Sequence, residues 1–523
     1  MIFFLKHIKR FIPLFASCIL NFNSLQAQQS LLFPGDYFFD VQRQKTILAD
    51  TDVIMHTSLQ PFIYKEILPD ILKKAKPDID PFFDKMFYES LIQLRHIDKS
   101  SGYNRKFNLN INPIMNFVYG KDMADTSSNS VTTNTRGFWL KGELGKNLTF
   151  ESAFIENQTV GPAYIYNYSY GTGVMPGQGR WKKFKMAGFD YASAWGILNF
   201  RAGKNLTVRL GHGKQKIGNG YRSLLLSDNS FNYPYVQFIA SFYKNKIQFS
   251  QTYALLMNLT DGGAKTPPGI EPIFQKKAAT FQHISWHTCK YLDVYLFQGT
   301  IWKATDSNNV MHLDPLYANP VMFTNLAKFG FNNANHIIVG GGFELRPFKK
   351  FVFYNQSVYD GTYPDNSNPS VTVNKTNWAM QNGIKYFDVL GVRNLYLQAE
   401  VNIVNGQCYT SSKYSAQDYS HYNQLLTTPA WLPNEFVGMV SYYYKRVFIQ
   451  LKENYFSDNS SKKTITNFDG KIGYLLNPSY NMNLAIGTTL RTYDYAVTGL
   501  KPNVTQLIYI AFKTSLYNIY HDF

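Results

Sequence analysis

Two basic stretches hold the side chains best suited to chemistry. "GRWKKFK" brings Arg180, Trp181, Lys182, Lys183 and Lys185 together, and "GKQKIGNGYR" does the same for Lys214, Lys216, Tyr221 and Arg222. Cations beside aromatic rings suit an anionic sugar: a ring stacks on the sugar face, and the cations pair with carboxylates or sulfates. They suit a membrane rim equally well, because aromatic girdles and cations facing anionic headgroups have the same composition. Both readings stay open. The second stretch continues into "RSLLLSDN", too apolar for a solvated loop, so Leu224, Leu225 and Leu226 are expected to be buried inside the fold. Lys214, Lys216 and Arg222 would then either face an inner cavity or its mouth and contact a ligand, or belong to a structural plug.

Other candidate chemistry is weak. The sequence has no nucleophile elbow, no phosphate-binding loop and no cysteine cluster. His283 and His287 are four apart, but in a strand that spacing separates them by about 13 Å, so no metal site is expected. Cys289 and Cys408 are expected at opposite ends of the fold, too far apart for a disulfide, which needs Cα atoms within about 7 Å. The expectation is a protein without cofactor or catalytic residues.

The elements that must position the basic stretches follow a rhythm. From about Arg105 onward, alternating segments of roughly ten residues come in pairs joined by short, basic turns, with long polar connections between pairs. In "FNLNINPIMNF" Phe107, Leu109, Ile111, Met115 and Phe117 share one face, and Asn108, Asn110, Asn112 and Asn116 the other. Leu395, Leu397, Ala399, Val401 and Ile403 oppose Gln398, Glu400 and Asn402 in the same way, and Met482, Leu484, Ile486 and Leu490 oppose Asn483, Thr489 and Arg491. Rows of Asn, Gln and Arg on the second face suit a wet lumen, not a second sheet. Tight turns fall near Gly145, Gly203, Asn245, Cys289, Pro347, Gly391, Lys445 and Pro478. With a first strand near Arg105 to Gly120 and a last near Thr505 to Asn518, they predict an all-β, closed antiparallel transmembrane barrel of about 18 strands with both termini in the periplasm. Tyr517, Ile519 and Phe523 alternate up to the last residue, in the form of a barrel-assembly signal broken by His521.

Composition agrees. Aromatic residues make up 16% of the chain and charged residues only 17%, the mixture a membrane barrel needs. Lys6, Lys9 and Arg10, the apolar run Phe11 to Leu20 and Ala27 read as a secretory signal over residues 1–27; the alternative makes Cys18 a lipidated N-terminus. Loss of those three cations would take the formal charge from +17 to +14. A basic surface favours anionic partners. For a membrane barrel these are outer-membrane lipid, lipopolysaccharide and acidic surface polysaccharide, not nucleic acid. Residues 28–104 are expected to form a small, partly helical periplasmic segment packed under or into the barrel. One helix would start at Asp80-Pro81 and carry Phe83, Phe87, Leu91 and Leu94; another would cover Phe62 to Lys76.

Together "PGQGR", "GFDYASAWG", "GHGKQKIGNGYRSLLLSDNSFNYP" and "TSLYNIYHDF" resemble the capsule-assembly barrels of the Wzi type, and among them the RemB-like gliding-motility barrels of Bacteroidetes. The resemblance runs over roughly Phe107 to Phe523. It implies an eighteen-stranded outer-membrane barrel with periplasmic helices, working at the cell surface in capsular polysaccharide attachment or gliding. The expected protein is a monomeric, non-enzymatic barrel that holds an anionic glycan. Its rivals are a general porin or nutrient channel and an accessory subunit of a secretion or motility machine.

Overall fold

The computed structural model describes residues 30–32, 36–38, 40–41, 44–45, 54–64, 92–98, 105–125, 130–145, 147–261, 274–305, 310–312, 315–331, 335–365, 373–405, 407–411, 417–428, 432–477, 481–495, 501–514 and 518–523. The expected signal segment and the expected helix start at Asp80 lie outside them.

Among the described residues, 18 antiparallel strands close into a barrel. They are β1 (Arg105–Asp122), β2 (Ser130–Leu144), β3 (Leu148–Val160), β4 (Gly188–Arg201), β5 (Leu206–Gly213), β6 (Tyr233–Phe242), β7 (Ile247–Asp261), β8 (Phe274–Cys289), β9 (Leu292–Lys303), β10 (His336–Phe348), β11 (Phe351–Asp365), β12 (Val373–Phe387), β13 (Leu395–Asn405), β14 (Asn434–Tyr444), β15 (Val447–Asp458), β16 (Lys463–Asn477), β17 (Met482–Asp494) and β18 (Asn503–Lys513). Each pairs with the next, and β18 closes on β1 from Leu507↔Asp122 to Lys513↔Asn116. Closure leaves no free edge along the wall.

The predicted faces are the observed ones. In β13 Leu397 and Val401 are exposed on the outside, whereas Gln398, Glu400 and Asn402 are buried inside. In β17 Leu484, Ile486 and Leu490 face out and Asn483 and Arg491 face in. A belt of exposed Phe, Leu, Ile and Val therefore surrounds a polar interior. So large a contiguous apolar surface is stable only against lipid. Seven of the eight tight turns read from the sequence join neighbouring antiparallel strands; Pro478, in the eighth, lies outside the described residues, and the strands on either side of it pair with each other. At several of them a non-glycine residue takes the left-handed conformation, Asn245 at φ 69° and Lys445 at φ 52° among them.

Three expectations are corrected. The last strand ends at Lys513, and residues 518–523 leave the wall for the lumen, where Tyr520, Asp522 and Phe523 are buried. Their alternation therefore does not continue a terminal strand. Leu94, expected on a helix, lies in a strand, Ile92–Asp98, that pairs with β1 from Ile92↔Ile111 to Asp98↔Arg105. The reason is register: β18 stops pairing at Asn116, and the added strand occupies the hydrogen-bonding edge that β1 would otherwise leave open. Phe62–Tyr64, the start of the other expected helix, is a strand paired with Ser30–Leu32. Tyr37, Phe38 and Val41 pack inside the barrel against Tyr221, Tyr396 and Tyr520.

Ile486 sits in the apolar belt between Ile472 and Ile510 on the neighbouring strands. Ile486→Arg is expected to destabilise the folded barrel by about 2–4 kcal/mol, measured by urea titration in lipid vesicles, whereas an inward Asn483→Ser change should cost much less.

Candidate functional site

The site begins with a loop that turns inward. β5 ends at Gly213, and the chain crosses the lumen before rejoining the wall at Tyr233. Leu224, Leu225 and Leu226 are fully buried, packed with Phe281, Phe297, Ile338, Tyr409 and Tyr419. Wall and loop side chains satisfy their backbone: Gln356 Oε1 accepts from Leu224 N at 2.9 Å, and Gln356 Nε2 donates to the Ile217 carbonyl at 2.8 Å. The Tyr409 and Tyr419 hydroxyls donate to the Leu224 and Leu225 carbonyls at 2.8 and 2.9 Å. Lys216–Ile217 also pairs with Leu59–Gln60, so the N-terminal segment is part of the same plug. Gly218 has φ +120°, and a Cβ there would lie 1.8 Å from Gln356 Nε2. Only glycine lets the loop approach the wall this closely.

The structure separates the nine candidate residues into two groups. Lys214, Lys216, Tyr221 and Arg222 are buried within the plug. Lys214 Nζ donates to the carbonyls of Gly177 at 2.7 Å and Asp228 at 3.0 Å; Lys216 Nζ donates to those of Gly220 at 2.8 Å and Tyr221 at 3.0 Å. Burial, partly offset by Asp228, pushes the Lys214 ammonium down to about 8. In this arrangement these four residues serve the packing of the plug, not its surface. Arg180, Lys182, Lys183 and Lys185 are exposed, and Trp181 is half-buried. Lys182–Phe184 forms a short hairpin with the start of β4, as an added strand of the barrel sheet. The two groups are mechanically joined, because Lys214 holds Gly177, three residues before Arg180.

Arg222 is the centre of the buried group. Its guanidinium pairs with Glu435 of β14 and with Asp522 of the closing segment. Asp522 also accepts from Tyr221 Oη at 2.7 Å and Lys452 Nζ at 2.8 Å. The rings of Tyr221 and Tyr520 flank the guanidinium at 5.1 and 5.0 Å. Burial alone would raise the Asp522 carboxyl, but Arg222 and Lys452 outweigh it and hold the group at about 2. For Arg222 burial is likewise opposed by Asp522 and Glu435, which keep it charged.

Sequence reasoning missed the partners. Glu435 and Asp522 carried no local motif, since they are 213 and 300 residues from Arg222. It also missed an aromatic row. "AYIYNYSYGT" alternates like a strand but forms helix α1, Ala163–Thr172, closed by Gly173 at φ 76°. On a helix Tyr166 and Tyr170 are four apart and share a face. Their rings stack at 6.0 Å, and Tyr170 stacks on Trp181 at 6.1 Å. Tyr170 is 67% exposed. The signal was present in the spacing, hidden by its coincidence with a period of two.

His283 and His287 have ordinary partners: His283 Nε2 lies 3.2 Å from Ser58 Oγ, and His287 Nδ1 lies 2.6 Å from Asp293 Oδ1. Cys289 is exposed beside a tight turn, and Cys408 is buried in the loop region at the other end; both are free thiols.

No family model and no curated protein sequence matches the chain. Solved structures are similar in fold. The solved structure of Wzi from Escherichia coli, described as an outer-membrane protein involved in group 1 capsule assembly and a carbohydrate-binding β-barrel, superposes with a TM-score of 0.53 at 12% identity, covering 94% of this chain and 100% of that one. OpdO of Pseudomonas aeruginosa is similar over 79% of this chain and 96% of its own, at 10% identity and a TM-score of 0.43. A BenF-like porin of Pseudomonas fluorescens matches 78% of this chain and 99% of its own, at 9% identity and a TM-score of 0.42. The likeness to Wzi supports the same barrel fold.

Asp522→Ala leaves Arg222 and Lys452 short of a buried anion, a change expected to cost about 3–5 kcal/mol. It should release the 213–233 loop, read as faster amide hydrogen exchange there than in the strands. The depressed Asp522 carboxyl contributes stability that is fully present above its ordinary 3.8 and lost as pH falls through about 2. The difference in loop exchange between wild type and Asp522→Ala, corrected for intrinsic rates, should therefore be constant from pH 7 to 4 and shrink only below that.

Proposed function

We propose that this barrel acts at the cell surface of a bacterial outer membrane, without catalysis or cofactor, by holding an acidic polysaccharide on its loop end. The observation that carries the reading is the stacked row of half-buried Tyr166, exposed Tyr170 and half-buried Trp181 beside the exposed Arg180, Lys182, Lys183 and Lys185. Stacked rings offer flat apolar faces to pyranose rings, and the adjacent cations supply the charge that an acidic sugar requires. The plug gives the row a rigid base and opposes free diffusion through the lumen. This favours an anchor over a general porin. The tight turns are assigned to the periplasm and the long loops to the outside, as in barrels of this type. Capsule attachment and support of gliding are two uses of the same contact, and a single barrel without a second chain suffices for either.

The cations and the rings make separable contributions. Each exposed ion pair is worth about 0.2–1 kcal/mol, so Ala at Arg180, Lys182, Lys183 and Lys185 together should weaken binding of an acidic polysaccharide about tenfold or more and flatten its salt dependence. Tyr170→Ala should weaken it without changing the salt dependence. Biolayer interferometry on barrels in nanodiscs, with hyaluronate as probe and neutral dextran as control, reads both. Unchanged binding in the fourfold variant contradicts the proposal.

A further inference from the structure

A second feature lies on the opposite surface of the wall. Along β7, β8 and β9, Gln251, Gln282 and Gln298 pair in register on the outward face, as do Thr280 and Thr300. Their neighbours Ala254, Phe281 and Phe297 point inward to the core of the plug. Five polar side chains on the lipid side of a barrel are costly unless they are covered, and all five are at most 3% exposed. Their cover is the connection between β9 and β10, which folds back over the outside of the wall. The Gln282 amide donates to the Asn319 carbonyl at 3.2 Å, Tyr253 Oη to the Ala318 carbonyl at 2.7 Å, and Thr280 Oγ1 to the Tyr317 carbonyl at 3.4 Å. Tyr317 stacks flat on outward-facing Trp302 at 4.4 Å, with Ala278 and Phe329 packed around the pair.

Beside this flap the wall is hollowed. A groove of about 930 Å³ crosses the outside from Phe150 and Leu198 at one end to Trp302 and Tyr317 at the other. Ligand pockets typically measure about 300–1,000 Å³. Its floor includes Ser152 and Gly196. A Cβ on Gly196 would meet nothing nearer than Ser152 Oγ at 3.8 Å, so the space above it is open. The groove is continuous with the apolar belt through Leu198 and Leu210, both exposed to the outside. The bilayer that covers this belt is therefore the phase to which the groove opens. We propose that the groove is a binding site for one acyl chain of a membrane lipid, seated along the wall and bounded by the Trp302–Tyr317 pair. The polar row and its flap have a role in this account: together they hold Tyr317 at a fixed height on the lipid side, which makes a groove out of an otherwise smooth wall.

Spin-label spectroscopy tests this directly. The purified full-length protein is placed in palmitoyl-oleoyl-phosphatidylethanolamine vesicles doped with phosphatidylcholine labelled at mid-chain with a doxyl group. The wild type should show an immobilised lipid component that exchanges at least about tenfold more slowly than the boundary lipid. Gly196→Trp and, as a second variant, Ser152→Phe should remove it, while Ile486→Trp, elsewhere on the belt, should retain it. Heat-modifiable gel mobility confirms that each variant is folded. The proposal is overturned if the wild type shows only fast boundary lipid, or if a folded groove variant keeps the slow component. It is also overturned if cross-linking shows that a second copy of the chain occupies the groove.

Discussion

The structure depends on one requirement: a guanidinium sealed in the lumen must be neutralised from more than one direction. Arg222 is completely buried, and an unpaired charge there would be prohibitive. Glu435 meets it from the wall and Asp522 from the closing segment of the chain. A loop, a strand and a chain end distant in sequence thus converge on one side chain. Lys452 and Tyr221 bind the second carboxylate oxygen, so Asp522 cannot leave without exposing two cations and a phenol. The plug is specific because its parts satisfy one another, and the leucines beside it supply the apolar burial that hydrogen bonds alone do not provide.

From that clasp the arrangement propagates outward. The loop it fixes carries Lys214, which holds Gly177 and with it the segment leading to Arg180 and Trp181. Gln424 bonds the same segment through Gly177 N and the Gln178 carbonyl. The exposed cations are therefore mounted on a base anchored in the lumen and are not on a free loop. This division of labour explains why two similar-looking basic stretches behave differently. One is internal framework and the other is surface. On the outside of the wall the same accounting holds in reverse: polar side chains facing lipid are hidden by a flap of main chain instead of by water.

Much of the architecture was legible because a barrel writes its two faces into a period of two. Alternation in β13 and β17, together with the eight turns, was enough to give the strand number. The burial of Leu224 to Leu226 followed from their hydrophobicity alone. What could not be read is long-range. Nothing near Arg222 announces Glu435 or Asp522, and nothing in "IYHDF" distinguishes a strand end from a segment that turns into the lumen. Charge pointed to two basic stretches but not to the exposure of each cation, which depends on which carbonyls lie within reach. The outward glutamines of β7 to β9 broke the alternation rule, and that break is intelligible only once the covering loop is seen.

The central claim is that this barrel is an anchored platform with a sealed interior. Single-channel recording from the purified protein in a planar lipid bilayer tests it most directly. The account predicts no sustained conductance in the wild type at neutral pH, and the appearance of open steps when Asp522→Ala releases the clasp. Stable, porin-sized conductance in the wild type, unchanged by that substitution, would contradict it.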